Sequence, residues 1–428
     1  MKLIVTKNNE NYVATVVEIG QMFDIVGADR IKKTFVGNNP VIVSYMVQTG
    51  DKMVYFTSGT ELDASYCHLN DLYDKPELNA HKDKKGFISS KRRVRAIKLK
   101  GETSIGILMP MSSIAYVNDF DEDDLKVGSE FNQLNDTIIC KKYFVDVEVS
   151  VNGSNKPKSE NKLKDLLVDG QFNFHFQTGH LSKNMTKVDL NQYVVITAKL
   201  HGSSAILSKV FIKKIPTFME KLSKFVGVDV IDTKYGYIYS SGKPRNEQIK
   251  GVLDNYQNPN RGFYKENIWE LACKDYQYAL EDGISIYGEL CSSSIQKGYD
   301  YAKLRQNNKN YTFVVYRITR TNESGYVDEF SWNQIEQYCK KYNLQTVPVY
   351  FKGKLKEFVT DDRDVLEFLS SKYLEKDCEY CENVVPNEGI CVRIESGDFD
   401  IFKLKSNKFK LAEDKAQEKG ESNIEDEQ

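Results

Sequence analysis

A lysine placed at the end of an apolar, β-branched run is the residue in this chain best suited to do chemistry. In Val194-Val195-Ile196-Thr197-Ala198-Lys199-Leu200-His201-Gly202-Ser203-Ser204 the run predicts a strand that delivers Lys199 to a tight His-Gly turn with two hydroxyls behind it. A protonated amine is a poor nucleophile, but a lysine partly desolvated and near other cations can lose its proton and attack phosphorus. Gly202 would let the backbone turn sharply and approach a bound phosphate. An exposed lysine at a strand-to-turn junction would account for the same residues, so the stretch does not decide by itself.

Four further segments shift the balance. Ile286-Tyr287-Gly288-Glu289-Leu290 is a short strand pattern ending in a carboxylate, and Tyr311-Thr312-Phe313-Val314-Val315-Tyr316-Arg317-Ile318 is an aromatic-rich strand. Asn387-Glu388-Gly389-Ile390-Cys391-Val392-Arg393 supplies a second carboxylate beside a glycine, and Phe402-Lys403-Leu404-Lys405 puts two lysines two apart. Residues two apart on a strand share a face, so Lys403 and Lys405 are expected to point the same way. Together these groups suit a polyphosphate carrying a base. A nucleophile attacks, carboxylates hold ribose or metal, an aromatic ring stacks, and lysines neutralise phosphate.

In this order the segments resemble the motifs of the covalent nucleotidyltransferase superfamily of polynucleotide ligases and capping enzymes. The resemblance is closest to RNA ligases with a Lys-x-His-Gly nucleophile motif. Lys199-Leu200-His201-Gly202 resembles motif I, Tyr287-Gly288-Glu289-Leu290 motif III and Val314-Val315-Tyr316-Arg317-Ile318 motif IIIa. Glu388 to Arg393 resembles motif IV, and Lys403-Leu404-Lys405 motif V. Upstream, Phe174 to Asn184 is similar to the lead-in of the Deinococcus-type RNA ligases.

The resemblance implies an ATP-dependent RNA ligase working through a lysine–AMP intermediate and an adenylylated 5′ end, with Mg2+ or Mn2+ as cofactor. Lys199 would be the nucleophile, Glu289 would bind the ribose hydroxyls and Glu388 a metal ion. Lys403 and Lys405 would contact the α-phosphate, with Lys403 also lowering the pKa of Lys199. Tyr316 stands where relatives carry a phenylalanine that stacks on adenine. Thr197, Ala198, Leu200, Gly202 and Ser204 would line the nucleotide. Two departures matter: Ala198 replaces a frequent glutamate, and Arg317 replaces a frequent aspartate. Motif Ia is matched loosely by Tyr239 to Asn246, where Arg245 is preferred over Lys243 as a phosphate contact because its planar fork suits that anion.

DNA ligases and mRNA guanylyltransferases share the lysine motif but carry an OB domain after motif V. Here the stretch after Lys405 is too short for a barrel, and His201 stands where DNA ligases have aspartate. A degenerate relative that only binds RNA is the remaining alternative, although all five motif carboxylates and lysines are present.

The expected fold class is α+β: a small N-terminal β-barrel of OB type over residues 1–117, a linker over 118–170, an antiparallel-sheet nucleotidyltransferase domain over 171–411 and a disordered charged tail over 412–428. Short strands punctuated by turn signals fill the first part. Lys91, Arg92, Arg93 and Arg95, within the densest basic cluster, are expected to hold nucleic acid, since the chain's net charge of -2 leaves no global attraction. Phe218, Leu222 and Phe225 have helical spacing and read as core.

Eight cysteines without a disulfide framework suggest a reducing, cytoplasmic setting. Cys378-Glu379-Tyr380-Cys381 has no partner pair at zinc spacing and reads as chance proximity. No membrane-spanning run or secretory leader is evident. The expected partner is RNA with broken ends, such as a nicked duplex, bound by a monomer.

Overall fold

The computed structural model describes residues 1–6, 9–144, 166–174, 178–214, 216–241, 251–253, 267–293, 295–296, 298–306, 309–359, 365–396 and 399–418. It is a mixed α/β, sheet-rich molecule. Arg245, Lys243, His175 and the tail beyond 418 lie outside the described residues. Among the described residues no helix is long and apolar enough to cross a membrane.

In the N-terminal unit a four-stranded sheet runs in the order β3 (Ile107–Pro110), β2 (Lys52–Phe56), β1 (Ala14–Glu18), β4 (Glu130–Phe131). The other N-terminal strands pair in separate ladders, and among the described residues no barrel closes. The unit also extends past the expected boundary at 117. Phe131, Leu134, Ile139 and Cys140 are fully buried in its core, and Cys140–Lys142 pairs with Thr60–Leu62. The acidic run at 119–124 hid these apolar anchors, because it reads as a solvated connection.

Two sheets build the larger unit. The first is ordered Gly179–His180, β13 (Ile401–Lys405), β12 (Gly389–Ile394), β5 (Tyr193–Lys199), β11 (Val349–Lys354). The second is ordered Gly251–Val252, β7 (Thr233–Ser241), β6 (Ser203–Lys213), β8 (Ile284–Cys291), β9 (Thr312–Thr321), β10 (Val327–Glu329). Leu200 to Gly202 carry the chain from one sheet to the other.

The pleat of the first sheet separates structure from chemistry. Val194 and Ile196 on β5, Ile390, Val392 and Ile394 on β12, and Phe402 and Leu404 on β13 share one face and pack on Leu355, Val365, Leu369 and Tyr373. The alternate residues, Lys199, Lys403 and Lys405 among them, point the other way. The second sheet is backed by α1 (Ile268–Tyr276) and α2 (Trp332–Lys341). Helix α1 buries Ile268, Trp269, Ala272, Cys273 and Tyr276, a helical stripe, and starts at Asn267, whose side chain accepts from the Glu270 N–H.

Residues 166–174, expected as linker up to 170, pack on the second sheet instead. Leu166, Leu167, Phe172 and Phe174 cover Val210, Ile212 and Ile238. The helix at Phe218–Phe225 departs from expectation in the opposite sense, with Phe218 79% and Phe225 87% exposed. Its spacing is helical, but the described residues bring no core to its apolar side. The tail expected from 412 is also corrected. Helix α3 (Asn407–Glu418) continues to 418 and buries Phe409, Asp414 and Gln417.

Candidate active site

Lys199 is the last residue of β5, and register fixes its neighbours. It pairs with Gly389 on β12, which pairs in turn with Lys405 on β13. Thr197, Cys391 and Lys403 form the next rung on the same face. Directly paired residues of antiparallel strands project to one side, so Thr197, Lys199, Lys403 and Lys405 share a surface. Gly389 is required by this arrangement: a Cβ there would lie 2.2 Å from the Leu404 carbonyl oxygen and 2.9 Å from Lys405 Cα.

Glu388, fully buried before β12, gathers the cations. Its Oε1 lies 2.7 Å from Lys199 Nζ and 3.4 Å from Lys405 Nζ. Lys405 also reaches Glu413 on α3 at 3.6 Å and sits over the Phe409 ring. His180, in register with Lys403, has its pKa driven well below the usual value by burial and by Lys403, Lys410, Lys183 and Lys405. The imidazole is therefore neutral at pH 7 inside a ring of cations.

From the second sheet, Glu289 on β8 accepts a 3.0 Å hydrogen bond from the Gly202 N–H. Ser204 is in register with Glu289, and its Oγ lies 2.7 Å from the Tyr316 hydroxyl. The β8–β9 register shifts at Tyr287/Gly288, a bulge at Tyr316, whose hydroxyl meets Ser204. Burial is the main cause that raises its phenol pKa, so the hydroxyl stays protonated. Trp269 Nε1 donates to the Ser204 carbonyl at 3.0 Å and steadies this strand from behind.

Gly202 is also demanded by packing. A Cβ there would meet the Leu290 carbonyl oxygen at 2.4 Å and Cys291 Sγ at 2.8 Å, so close approach of β8 excludes a side chain. His201 is buried between Tyr299 and Phe409, each ring 4.8 Å away, and its N–H donates to the Tyr301 hydroxyl at 2.6 Å. Leu200 is buried in the core of the second sheet, and the Ala198 N–H donates to the Pro348 carbonyl at 2.9 Å. Neither of those two side chains reaches the ion cluster through a polar atom.

Arg317 has a use that the aspartate of relatives could not fill. Its Nε donates to Glu329 on β10 at 2.8 Å, and Arg393 on β12 reaches the other oxygen of Glu329 at 2.9 Å. Arg393 also pairs with Glu395, which accepts from the Trp332 N–H at 2.8 Å. This chain of buried charges ties the two sheets together beside the site. Glu329, Glu395, Tyr301 and Asp414 were missed from sequence because none falls in a motif and each acts through partners distant along the chain.

Of the basic residues expected to grip nucleic acid, the three arginines each have a carboxylate partner and only Arg93 is buried. Arg92 pairs with Glu61, Arg93 with Asp414 and Arg95 with Glu418, while Lys91 is exposed. Arg93 is buried and lies 5.2 Å from the Tyr143 ring centroid. Arg93 and Arg95 therefore fasten α3 to the N-terminal unit, because their carboxylate partners compete with solvent for the guanidinium groups, while Arg92 is held by Glu61 within that unit. The Ala96 N–H, which donates to Asp414, adds to the same seam.

The site thus joins a lysine at the crossing of two sheets, a buried carboxylate and a second lysine in register. The sequence model of the RNA ligase family matches residues 192–410, more than half of the chain, and the protein belongs to that family. Three solved structures of Naegleria gruberi RNA ligase mutants share its fold. One, with AMP and Mn, is 16% identical with a TM-score of 0.57, covering 93% of this chain and 98% of that one. Another, with ATP and Mn, is 16% identical with a TM-score of 0.57, covering 95% and 99%. An apo form is 15% identical with a TM-score of 0.57, covering 95% and 99%. No curated protein matches the chain.

Proposed function

We propose that this protein is an ATP-dependent RNA ligase that joins a 3′-hydroxyl to a 5′-phosphate by way of AMP carried on Lys199. The observation that carries the reading is the rung Lys199–Gly389–Lys405 with Glu388 at its edge. It places an amine, a second cation and a carboxylate where an α-phosphate can be held in line. Lys403, one rung away, adds charge neutralisation. Glu289 is positioned on the Gly202 turn to meet ribose hydroxyls, and Tyr316 offers a ring for adenine, with Ser204 fixing its hydroxyl. The bound nucleotides of the Naegleria structures support the same class of donor.

Glu388 Oε2 is buried and accepts no hydrogen bond among the described residues, which fits a hard divalent cation such as Mg2+ or Mn2+. No cluster of three or more His, Cys, Asp or Glu among the described residues could hold such an ion, so water and phosphate oxygens would complete its shell. When bound, it would offset phosphate charge. Lys199 must leave Glu388 to attack, and a cation on that carboxylate would favour the release.

The substrate class is a break in duplex RNA or an RNA–DNA hybrid, as the motif order and the upstream β-rich unit support, with that unit acting as an OB-like clamp on the ends. The test is incubation with ATP labelled at the α-phosphate, followed by nicked duplexes differing only in ribose or deoxyribose at the 3′-hydroxyl end. Acid-labile, base-stable label that disappears in Lys199→Ala, and sealing that needs the ribose, are the expected results. Label from GTP in preference to ATP would move the chain to the capping enzymes.

A further inference from the structure

The Cys378-Glu379-Tyr380-Cys381 segment is a tight turn closed at its base. The Cys378 N–H donates to the Val385 carbonyl at 2.8 Å, Asp377 bridges Pro386, and the Asn387 N–H donates to the Lys376 carbonyl at 3.0 Å. The turn brings both cysteines to one apolar cluster, with Cys381 inside it and Cys378 packed against its edge. Cys378 is half-buried and reachable from solvent, while Cys381 is buried behind it. These contacts hold the Cys378 thiol below its usual pKa, with the Cys381 hydrogen bond the largest cause. A partly exposed thiolate with a second sulfur in contact has the features of a peroxide-reactive pair.

The turn is also joined to the nucleophile. Its neighbour on the other side is residues 300–303: Asp300 Oδ1 accepts from the Glu382 N–H at 3.1 Å, and the Lys303 N–H donates to the Tyr380 carbonyl at 3.2 Å. Between them Tyr301 is buried in the same cluster as Cys381, and its hydroxyl accepts from the backbone N–H of His201 in the turn after Lys199. Tyr301 is held at φ 44°, a left-handed backbone that a bulky residue adopts only when its surroundings impose it. One strained residue thus sits between two backbone segments bonded to the dithiol turn and reaches the lysine turn with its side chain.

We propose that Cys378 and Cys381 are an oxidisable dithiol that closes to a disulfide under hydroperoxide, and that closure slows nucleotidyl transfer to Lys199 through Tyr301. The Cys378 thiolate attacks one peroxide oxygen; the O–O bond breaks, an S–O bond forms, and the other oxygen leaves as water after taking a proton. Cys381 then attacks the sulfenic sulfur; the S–S bond forms, the S–O bond breaks, and the hydroxyl leaves as water with the Cys381 proton. Two thiols are oxidised and one hydroperoxide is reduced. Cys391, the other half-buried cysteine, has its thiol pushed up to about 11 by burial and should react later.

The second half of this proposal rests on the ligase reading, and the first does not. The full chain is treated at neutral pH with hydrogen peroxide, and disulfides are mapped by peptide mass spectrometry. The expected product is a 378–381 bridge that dithiothreitol reverses; Cys378→Ser should lack it, and Cys381→Ser should accumulate a sulfenic acid at Cys378 that dimedone traps. Lysine–AMP formation should fall on the order of tenfold to a hundredfold in the bridged protein, as for a displaced positioning contact. It should return on reduction and stay constant in peroxide-treated Cys378→Ser. Absence of the bridge, its appearance only in unfolded protein, faster oxidation of Cys391, or unchanged lysine–AMP formation in the bridged protein would each overturn the proposal.

Discussion

Lys199 and Lys405 reach the same oxygen of Glu388, at 2.7 and 3.4 Å, from strands that flank the one the carboxylate precedes. The shared oxygen makes Glu388 a carboxylate common to both cations. Glu388→Gln keeps the shape and removes the charge, so lysine–AMP formation should fall by about a hundredfold or more. Circular dichroism should be unchanged, because the amide fills the same space. Labelling close to that of the parent protein would show that the carboxylate is not part of the reacting centre.

Tyr316 separates ring from hydroxyl. Tyr316→Phe removes the 2.7 Å contact with Ser204 Oγ and should cost about 1 kcal/mol of stability while sparing most sealing. Tyr316→Ala should raise the KM for ATP steeply, because it removes the stacking surface. If the phenylalanine variant is as impaired as the alanine variant, the hydroxyl and not the ring is what the nucleotide needs.

Arg93 and Asp414 form a buried pair between the N-terminal unit and α3. Burial, the largest cause, raises the Asp414 pKa even though Arg93 opposes it, so desolvation is the dominant influence on the carboxyl. Asp414→Ala should destabilise by about 3–5 kcal/mol, since it leaves a buried guanidinium without its carboxylate. The double variant Arg93→Met with Asp414→Leu should recover much of that loss, which denaturant titrations can measure. Equal losses in the single and double variants would show that shape, not charge, holds the seam.

Lys410 gives a pH signature. Its Nζ donates to Asn39 Oδ1 at 2.8 Å, and burial, aided by Lys405, lowers its pKa from 10.5 to about 8. Between those values the unfolded chain carries a proton that the folded chain lacks, so this group makes stability rise with pH across that window. The slope is at most about 1.4 kcal/mol per pH unit. Melting temperatures measured from pH 7 to 10 should rise less in Lys410→Met than in the parent. Parallel curves would mean that the lysine keeps an ordinary pKa.

The motifs were legible because each is a local pattern with its own periodicity. The alternation around Lys403 and Lys405 gave their shared face, and the β-branched run before Lys199 gave its strand. Their meeting at Glu388 was available only through family resemblance, since register between strands 190 residues apart leaves no mark in either. The spacing of Phe218, Leu222 and Phe225 gave a helix correctly and its burial wrongly, because periodicity says which side is apolar and not what covers it. Arg93 read as a surface cation because its counter-ion lies over three hundred positions away, in a stretch whose charge density looked like tail. The use of Gly202 in the turn was legible, but the Leu290 carbonyl that leaves no room for a Cβ there was not, since it belongs to a strand far along the chain.

The alternation of the first sheet has a genetic consequence. Because Lys199, Lys403 and Lys405 stand on the side opposite Val194, Ile196, Phe402 and Leu404, the substitutions that end activity are not those that empty the core. On the proposed ligase function, alleles altered at the lysines should therefore yield full amounts of folded but inactive protein. Such protein should compete with the working copy for substrate and act dominantly, whereas lesions on the apolar side should lower the amount of protein and act recessively.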